Sequence, residues 1–516
     1  MGFISILGEN GFKLKQSETD FLGTPLYFND LNLVQIVDMI RNTCPEYDLK
    51  KYYYTLADNK ADIYYRQEVL KDFYNEKVFE AANEFSYGLL RARTYRTYSE
   101  KAEHPVQSKR WKIDAAYMYI LAVVELEKSL KECELTSRGM NELREYLTTK
   151  VNDEAFIEFT EKTKSLADKM LSLEFEIEFE RHSIKIAPKK NDTSYIDKID
   201  ELLYDESKRK TSLSRAFSSP LAGALRIARV EDKIIQVLMK EHPEVFKELD
   251  EFGNRYNNFL DEVLVKLEDE MQFYISFVLF RRKLEKYNLK FCTPSISDKG
   301  NEEFAVCEAY DLALACKNAY EGKPVVPNSL DYRDKERFLV ITGPNQGGKT
   351  TLARGIGQIV YFSMLGLEAP AGKVTVPIFN DIMTHFEVEE SLDTGAGKLK
   401  EELKRLKPMM ESEHERCFIV LNELFTTAAS YDAYVMGSHV IKHFIEDDYY
   451  GIYVTHIQEL ARETEQIASL VAGIADDGKT RTYKIERKPA EGIGHASTLV
   501  DKYRLNYEEI KERLAR

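Results

Sequence analysis

The order of apolar and polar positions changes character at about residue 288. Up to there the chain is rich in Glu, Lys, Leu and Tyr and sparing with Gly and Pro, the composition of long helices. Residues 29–41 and 62–85 repeat apolar positions at helical spacing, and residues 113–151 read as one long helix or as two broken at Gly139. Leu260, Leu264, Leu267, Met271, Tyr274 and Val278 alternate steps of four and three. That seam, with a period near 3.5, serves either as a core stripe or as one arm of a paired lever. Strict alternation intrudes from Phe175 to Ile186 and predicts a strand, followed by the turn signal Pro188-Lys-Lys-Asn-Asp192. A small β-containing insertion at the tip of two helices, about residues 172–222, accounts for this change. Beyond residue 288, short apolar runs, turns and helical patterns alternate, as in an α/β domain. Strands are predicted over residues 338–341, 379–387, 417–421 and 451–456, with a loop entering another over 366–376. The expected fold class is thus all-α over residues 1–288 and α/β over residues 289–516.

Composition narrows the function classes. The chain of 516 residues is long enough for two or three domains, and no apolar run approaches the roughly 20 residues of a membrane span. No basic region followed by an apolar core opens the chain, so no secretory signal is expected. The cysteines Cys44, Cys133, Cys292, Cys307, Cys316 and Cys417 are scattered without a C-x-x-C pair. They indicate neither a zinc site nor a disulfide framework, and a reduced, cytoplasmic setting is expected. A net charge of −15 excludes a uniformly basic nucleic-acid coat but leaves room for a local basic groove.

The sharpest local signal follows the apolar run Phe338 to Ile341. Gly343 and Gly348-Lys349-Thr350 meet the G-x-x-x-x-G-K-[ST] spacing between a strand and a helix start. Glycines there let backbone N–H groups approach phosphate oxygens, and the helix N-terminus favours negative charge. The candidate nucleotide-binding residues are Gly343, Pro344, Asn345, Gln346, Gly347, Gly348, Lys349, Thr350 and Thr351. Lys349 suits the β- and γ-phosphates and the Thr350 hydroxyl a Mg²⁺ position, so ATP and Mg²⁺ are the implied cofactors.

Two strand ends add chemistry. Cys417-Phe-Ile-Val-Leu421 reads as a central parallel strand and ends in Asn422-Glu423. A carboxylate beside the γ-phosphate polarises the attacking water, which makes Glu423 the catalytic candidate. Asn422 stands at the metal position, where ATPases of this type carry an acid; its amide oxygen can hold a metal-bound water but brings no charge. Gly451-Ile-Tyr-Val-Thr-His456 is a further strand whose terminal His456 is placed to donate to the γ-phosphate. For nucleic acid, the candidates are the tip residues Lys185, Lys189, Lys190, Lys208, Arg209, Lys210 and Arg215. A second basic stretch, residues 91–98 continued by 109–112, is either a phosphate contact or a solvated helix face.

Taken together, these motifs resemble the MutS family of DNA mismatch-repair ATPases. The resemblance rests on Thr342-Gly-Pro-Asn-Gln-Gly-Gly-Lys-Thr350, with its Pro344-Asn345 pair, and on Asn422-Glu-Leu424 with Tyr431-Asp432 beyond it. Val454-Thr-His456 followed by Glu459-Leu460 fits it too, as do Gly366 to Val376 and the terminal Gly492-Ile-Gly-His-Ala-Ser-Thr-Leu-Val500. The resemblance implies a helical core and lever domain with a clamp insertion, then an ABC-type P-loop ATPase domain ending in a helix-turn-helix over about residues 490–516. It also implies a homodimer with composite ATP sites, to which Asp393-Thr-Gly-Ala-Gly-Lys-Leu399 supplies the signature loop. Gly397 and Lys398 stand there where the family has Ser-Thr, and a backbone N–H and an ammonium would meet the phosphate instead.

The sequence departs from the family in three places. No N-terminal mismatch-reading domain with a Phe-x-Glu wedge precedes the helices, no nuclease-like tail follows the ATPase domain, and Asn422 replaces the usual Asp, which predicts slow hydrolysis. The expected function is an ATP-dependent clamp on duplex or branched DNA, in mismatch repair or related repair and recombination. The alternatives are a ribosome- or structured-RNA-acting ATPase and a nucleotide-gated assembly protein with little turnover.

Overall fold

A computed structural model describes residues 3–14, 19, 23–180, 183–188, 229–298, 300, 302–386, 397–412, 414–475, 480–490 and 511. The chain divides into two compact units. The first comprises residues 1–3, 75–135 and 140–271; the second comprises residues 4–74, 136–139 and 272–516.

The first unit is helical. Its longest elements are Glu76–Lys101 and Pro105–Glu132, and Glu154–Leu171, Pro243–Arg255 and Arg229–Glu241 accompany them. The two long helices cross closely at Gly88, where an added Cβ would lie 2.8 Å from the Cβ of Ala122. Leu89, Ala92, Ile113, Tyr119, Val123 and Leu126 are buried along these helices, and Phe156, Phe159 and Phe252 are buried on the shorter ones. A hairpin of β1 (Phe175–Glu180) and β2 (Ser183–Pro188) pairs antiparallel, with Phe175 opposite Pro188 and Glu180 opposite Ser183.

Local chemistry redraws several expected boundaries. The pattern over residues 62–85 is two helices, Lys60–Phe73 and Glu76–Lys101, because the Asn75 side chain caps the second by accepting from the Lys77 N–H. The break within residues 113–151 falls at 133–137 rather than at Gly139. There the Asp72 carboxylate accepts from the backbone N–H groups of Thr136 and Ser137 and from both their hydroxyls. The single strand expected from Phe175 to Ile186 is the β1–β2 hairpin. Of the expected clamp insertion only residues 172–180 and 183–188 are described, and the expected helix-turn-helix lies outside the described residues apart from 490 and 511.

The helix carrying the 3.5-residue seam runs Glu262–Glu285. Leu264, Leu267, Met271, Tyr274 and Val278 are buried, but so are Glu268, Glu270, Gln272, Phe273, Ile275, Ser276 and Phe277. Residues 270–278 are buried on every side, as in a core helix, so the core-stripe alternative is favoured over that span.

The second unit is α/β and holds two sheets. Its strands are β3 (Ser295–Ile296), β4 (Phe304–Ala309), β5 (Asn328–Tyr332), β6 (Phe338–Thr342), β7 (Lys373–Val376), β8 (Asp381–His385), β9 (Cys417–Asn422), β10 (Tyr450–Val454), β11 (Ile467–Ile474) and β12 (Arg481–Arg487). The larger sheet has the order β12-β11-β6-β10-β9-β8, parallel except for β12. Every residue of β6, β9 and β10 is buried, as their continuous apolar runs require. The smaller sheet has the order β3-β7-β4-β5.

Residues 4–74 also belong to this unit, which corrects the boundary expected at residue 288. They cover the helix Lys349–Leu365: Arg354 donates to the Asp30 carbonyl (2.8 Å), Gln358 to the Leu31 carbonyl (2.9 Å) and Tyr361 to the Tyr53 carbonyl (2.6 Å). Helical periodicity marks the buried face of residues 33–41 and 60–73 but not the element that buries it. Among the described residues no helix is long and apolar enough to cross a membrane, and no group of His, Cys, Asp and Glu is arranged to hold a metal ion.

Candidate nucleotide site

The site is built on the C-terminal ends of three neighbouring parallel strands. β10 lies between β6 and β9, with Val454 paired to both Ile341 and Asn422. The loop after β6, the Asn422-Glu423 step and the Thr455-His456 step therefore emerge at one level, where open α/β sheets bind ligands.

The loop after β6 needs unusual backbone. Gly343 has φ 122°, Gln346 φ 61° and Gly348 φ 88°, and Gly348 is the N-cap of the helix Lys349–Leu365. Two of its glycines also face a neighbour. A Cβ at Gly343 would lie 3.0 Å from the Ala472 N, and one at Gly347 would lie 3.0 Å from the Ala472 Cβ, both on β11. Glycine thus serves close packing on the sheet. Pro344 is buried and its carbonyl accepts from the Gly347 N–H, while Asn345 and Gln346 are exposed.

Lys349 is buried and its Nζ donates to the carbonyls of Gly343 (2.9 Å) and Pro344 (3.1 Å). Burial lowers its pKa, Glu423 pulls it back up and Arg481 pushes it down further. Thr350 Oγ1 donates to Asn422 Oδ1 at 2.8 Å. A hydroxyl and an amide oxygen side by side are neutral oxygen donors of the kind Mg²⁺ accepts when it keeps most of its waters, so the pair fits a weakly charged metal position. Thr351 follows on the first turn of the helix.

Glu423 sits just past β9 with φ 55°, its N–H donating to the Val454 carbonyl at 2.8 Å. A non-glycine residue held there stores strain, as residues at functional sites often do. Its carboxylate lies 2.9 Å from His456 Nε2. That hydrogen bond, ahead of the opposing effect of burial, holds its pKa below the usual glutamate value. His456 is placed by Thr455, whose N–H donates to the Ile341 carbonyl and whose Oγ1 accepts from the Ile457 N–H (3.1 Å). The expectation of His456 as a γ-phosphate donor is thus joined by a pairing with Glu423 that the sequence did not reveal.

Not every expected residue is placed here. Gly397 is an exposed N-cap, with Lys398 beginning the helix Lys398–Met410, while residues 393–396 of the expected signature loop lie outside the described residues. So do Lys189, Lys190, Lys208, Arg209, Lys210 and Arg215, and of Lys185 only the backbone on β2 is described. In the other basic stretch four cations meet carboxylates of the same unit. Arg93 pairs with Glu268 (2.8 Å), Arg96 with Glu100 (3.1 Å), Lys109 with Asp250 (2.5 Å) and Arg110 with Asp114 (2.9 Å). Lys112 donates to the Gly253 carbonyl and the Asn257 side chain. Of its two readings, these pairs favour the helix face over the phosphate contact.

Three residues of the site escaped the sequence reading. Ala472 backs the loop, the Tyr483 ring lies 3.6 Å from where a Gly348 Cβ would stand, and the Arg481 charge acts on Lys349. No local motif announces them, since they arrive through the adjacency of β12, β11 and β6.

A glycine loop from a buried parallel strand into a helix, with a lysine in the loop and a carboxylate at a neighbouring strand end, is the arrangement of a P-loop domain. Residues 339–493 match the family model MutS domain V. Over this stretch the chain is similar to domain V of the MutS family. It is 30% identical over 173 residues to the DNA mismatch repair protein MutS of Streptococcus gordonii, covering 32% of this chain and 20% of that protein. A match at 24% identity over 216 residues, to the DNA mismatch repair protein MSH3 of Candida glabrata, covers 41% and 20%. A longer one, 23% over 350 residues, reaches the Endonuclease MutS2 of Halothermothrix orenii and covers 65% of this chain and 41% of that protein. The chain thus spans about a fifth of the length of the first two relatives and about two fifths of the third.

Proposed function

We propose that this chain is a MutS-like ATPase whose nucleotide state controls binding to duplex or branched DNA, working as a homodimer with composite ATP sites in mismatch repair or related repair and recombination. The observation that carries the ATPase reading is the convergence of Lys349, the Thr350–Asn422 pair and the Glu423–His456 pair on one edge of the parallel sheet. The relatives named for DNA mismatch repair support the DNA reading.

In this mechanism a triphosphate takes Lys349 Nζ from the carbonyls of Gly343 and Pro344, exchanging two neutral acceptors for charged ones. Glu423, kept ionised by His456, accepts a hydrogen bond from the attacking water and aligns it. His456 holds that carboxylate in place and shares its proton with the developing charge. Mg²⁺, when bound at Thr350 and Asn422, supplies charge neutralisation on the phosphate oxygens. The neutral Asn422 favours one second reading, a nucleotide-gated assembly protein with little turnover.

The test is steady-state ATP hydrolysis and nucleotide binding, alone and with linear duplex, mismatched duplex, four-way junction and structured RNA. Stimulation by DNA, stronger for the junction than for linear duplex, is the expected result. ATP binding without stimulation by any nucleic acid moves the assignment to the assembly reading, and stimulation by RNA alone moves it to an RNA-acting ATPase. Lys349→Ala should weaken ATP binding by about 100-fold or more; unchanged affinity would defeat the nucleotide assignment altogether.

A further inference from the structure

Building on the nucleotide reading, we infer that Arg481 is a phosphate ligand of the same site: its guanidinium, carried on β12, binds the polyphosphate of a nucleoside di- or triphosphate beside Lys349. The first support is placement. β12 runs antiparallel to β11, with Arg481 opposite Ile474 and Ile485 opposite Ala472, the residue that backs the glycine loop. Between these pairs the register slips, so that residues 482–484 stand against Gly473 alone. Such a bulge re-aims side chains. At its centre Tyr483 takes φ 57° and sets its ring against Gly348. The Asn328 amide fixes the bulge from the side, donating to the Tyr483 carbonyl (3.0 Å) and accepting from the Ile485 N–H (2.8 Å). β12 is therefore seated on the phosphate loop at the residues next to Arg481.

The second support is the state of the guanidinium. Arg481 Nη1 is closed off from solvent and has no hydrogen-bond partner among the described residues. A buried charged donor without an acceptor is costly, and an anion arriving beside it removes that cost. The third is the charge balance. Arg481 acts on Lys349 as a second cation, Glu423 is the carboxylate that opposes it there, and Asn422 brings no charge where an acid is usual. Two neighbouring cations, with one carboxylate opposing Lys349, suit a ligand of several negative charges, and a planar guanidinium suits phosphate oxygens.

The test is titration of the full chain with fluorescent methylanthraniloyl-ATP, -ADP and -AMP, for the wild type, Arg481→Met, Arg481→Lys and Lys349→Ala. Arg481→Met should lose about 10- to 100-fold in ATP affinity, less in ADP affinity and little in AMP affinity. Arg481→Lys should recover part of the loss. An equal loss for all three nucleotides would overturn the proposal, because Arg481 would then be acting on the base, the ribose or the fold. Full ATP affinity in Arg481→Met beside a large loss in Lys349→Ala would also overturn it, while leaving the nucleotide site intact. If the wild type binds no nucleotide, or Lys349→Ala binds it as the wild type does, the underlying nucleotide reading fails and this proposal fails with it.

Discussion

Two groups of basic side chains in this molecule have opposite surroundings. On the helices Glu76–Lys101 and Pro105–Glu132, the cations Arg93, Arg96, Lys109 and Arg110 each meet a carboxylate of the same unit. At the nucleotide site Lys349 rests on two backbone carbonyls, and Arg481 Nη1 on no acceptor among the described residues. In sequence the first group is the more conspicuous, because its charges are consecutive. On the proposed function, the difference teaches that a phosphate site is recognised less by the density of cations than by the shortage of carboxylates around them. A cation already paired must give up that partner before it can take a phosphate.

The largest expected effect tests whether the carboxylate that is present at the site is chemically used. Glu423→Gln keeps the shape and removes the charge. Hydrolysis should fall by about 10²- to 10⁴-fold while ATP affinity changes little. A loss of less than about tenfold would reduce the Glu423–His456 contact to one more internal ion pair, like those on the helices. The pH dependence has a definite sign. Because the His456 hydrogen bond depresses the Glu423 pKa, the ionised form should persist at neutral and mildly acidic pH. The contribution of Glu423 should be lost as pH falls through its depressed value, below the ordinary glutamate pKa of about 4.3. An acid limb of hydrolysis well above that value would assign the limb to another group.

A second experiment addresses the other side of the contrast. Glu268 has no solvent exposure and Arg93 is its partner. Arg93→Ala should therefore destabilise the fold by about 3 kcal/mol in urea unfolding, because it takes a guanidinium away from a buried carboxylate. The salt dependence of DNA binding by the folded protein should be unchanged, since no phosphate contact is removed. A shallower salt slope without loss of stability would show that this face binds phosphates after all, and the contrast would collapse.

What could be read from the sequence follows the range of each interaction. The glycine loop after β6 was legible because backbone conformation and glycine are local matters, and Gly343, Gly348, Lys349 and Thr350 stand within one short stretch. Asn422, Glu423 and His456 were legible as polar residues at strand ends because β9 and β10 are continuous apolar runs. Their pairing was not, since it depends on β9 and β10 being neighbours in the sheet. Arg481 and Tyr483 were hidden for the same reason, since β12 reaches the loop only through its pairing with β11. The membership of residues 4–74 in the α/β unit was hidden because amphipathic spacing names a buried face and not its cover. At Asn75 a capping side chain overruled a periodicity that continued past it.

The smallest effect asks whether the shortage of carboxylates is itself functional. Asn422→Asp places a negative charge next to the Thr350 hydroxyl, 2.8 Å from the present amide oxygen, in the neighbourhood of Lys349 and Arg481. Two consequences pull in opposite directions. With Mg²⁺ the added charge should tighten the metal, lowering the Mg²⁺ concentration for half-maximal hydrolysis by roughly three- to tenfold and raising turnover by a similar factor. With Mg²⁺ chelated, the same charge should weaken ATP binding, because it opposes the triphosphate and gives the cations of the site the kind of partner that those on the helices already have. Titrations of Mg²⁺ against hydrolysis, and of ATP in chelator, separate the two effects. Tighter Mg²⁺ use together with weaker metal-free binding would mean that Asn422 trades metal affinity for a site held open to a polyanion. If neither quantity moves, the neutral residue is incidental, and the distinction between the two groups of cations rests on Lys349 and Arg481 alone.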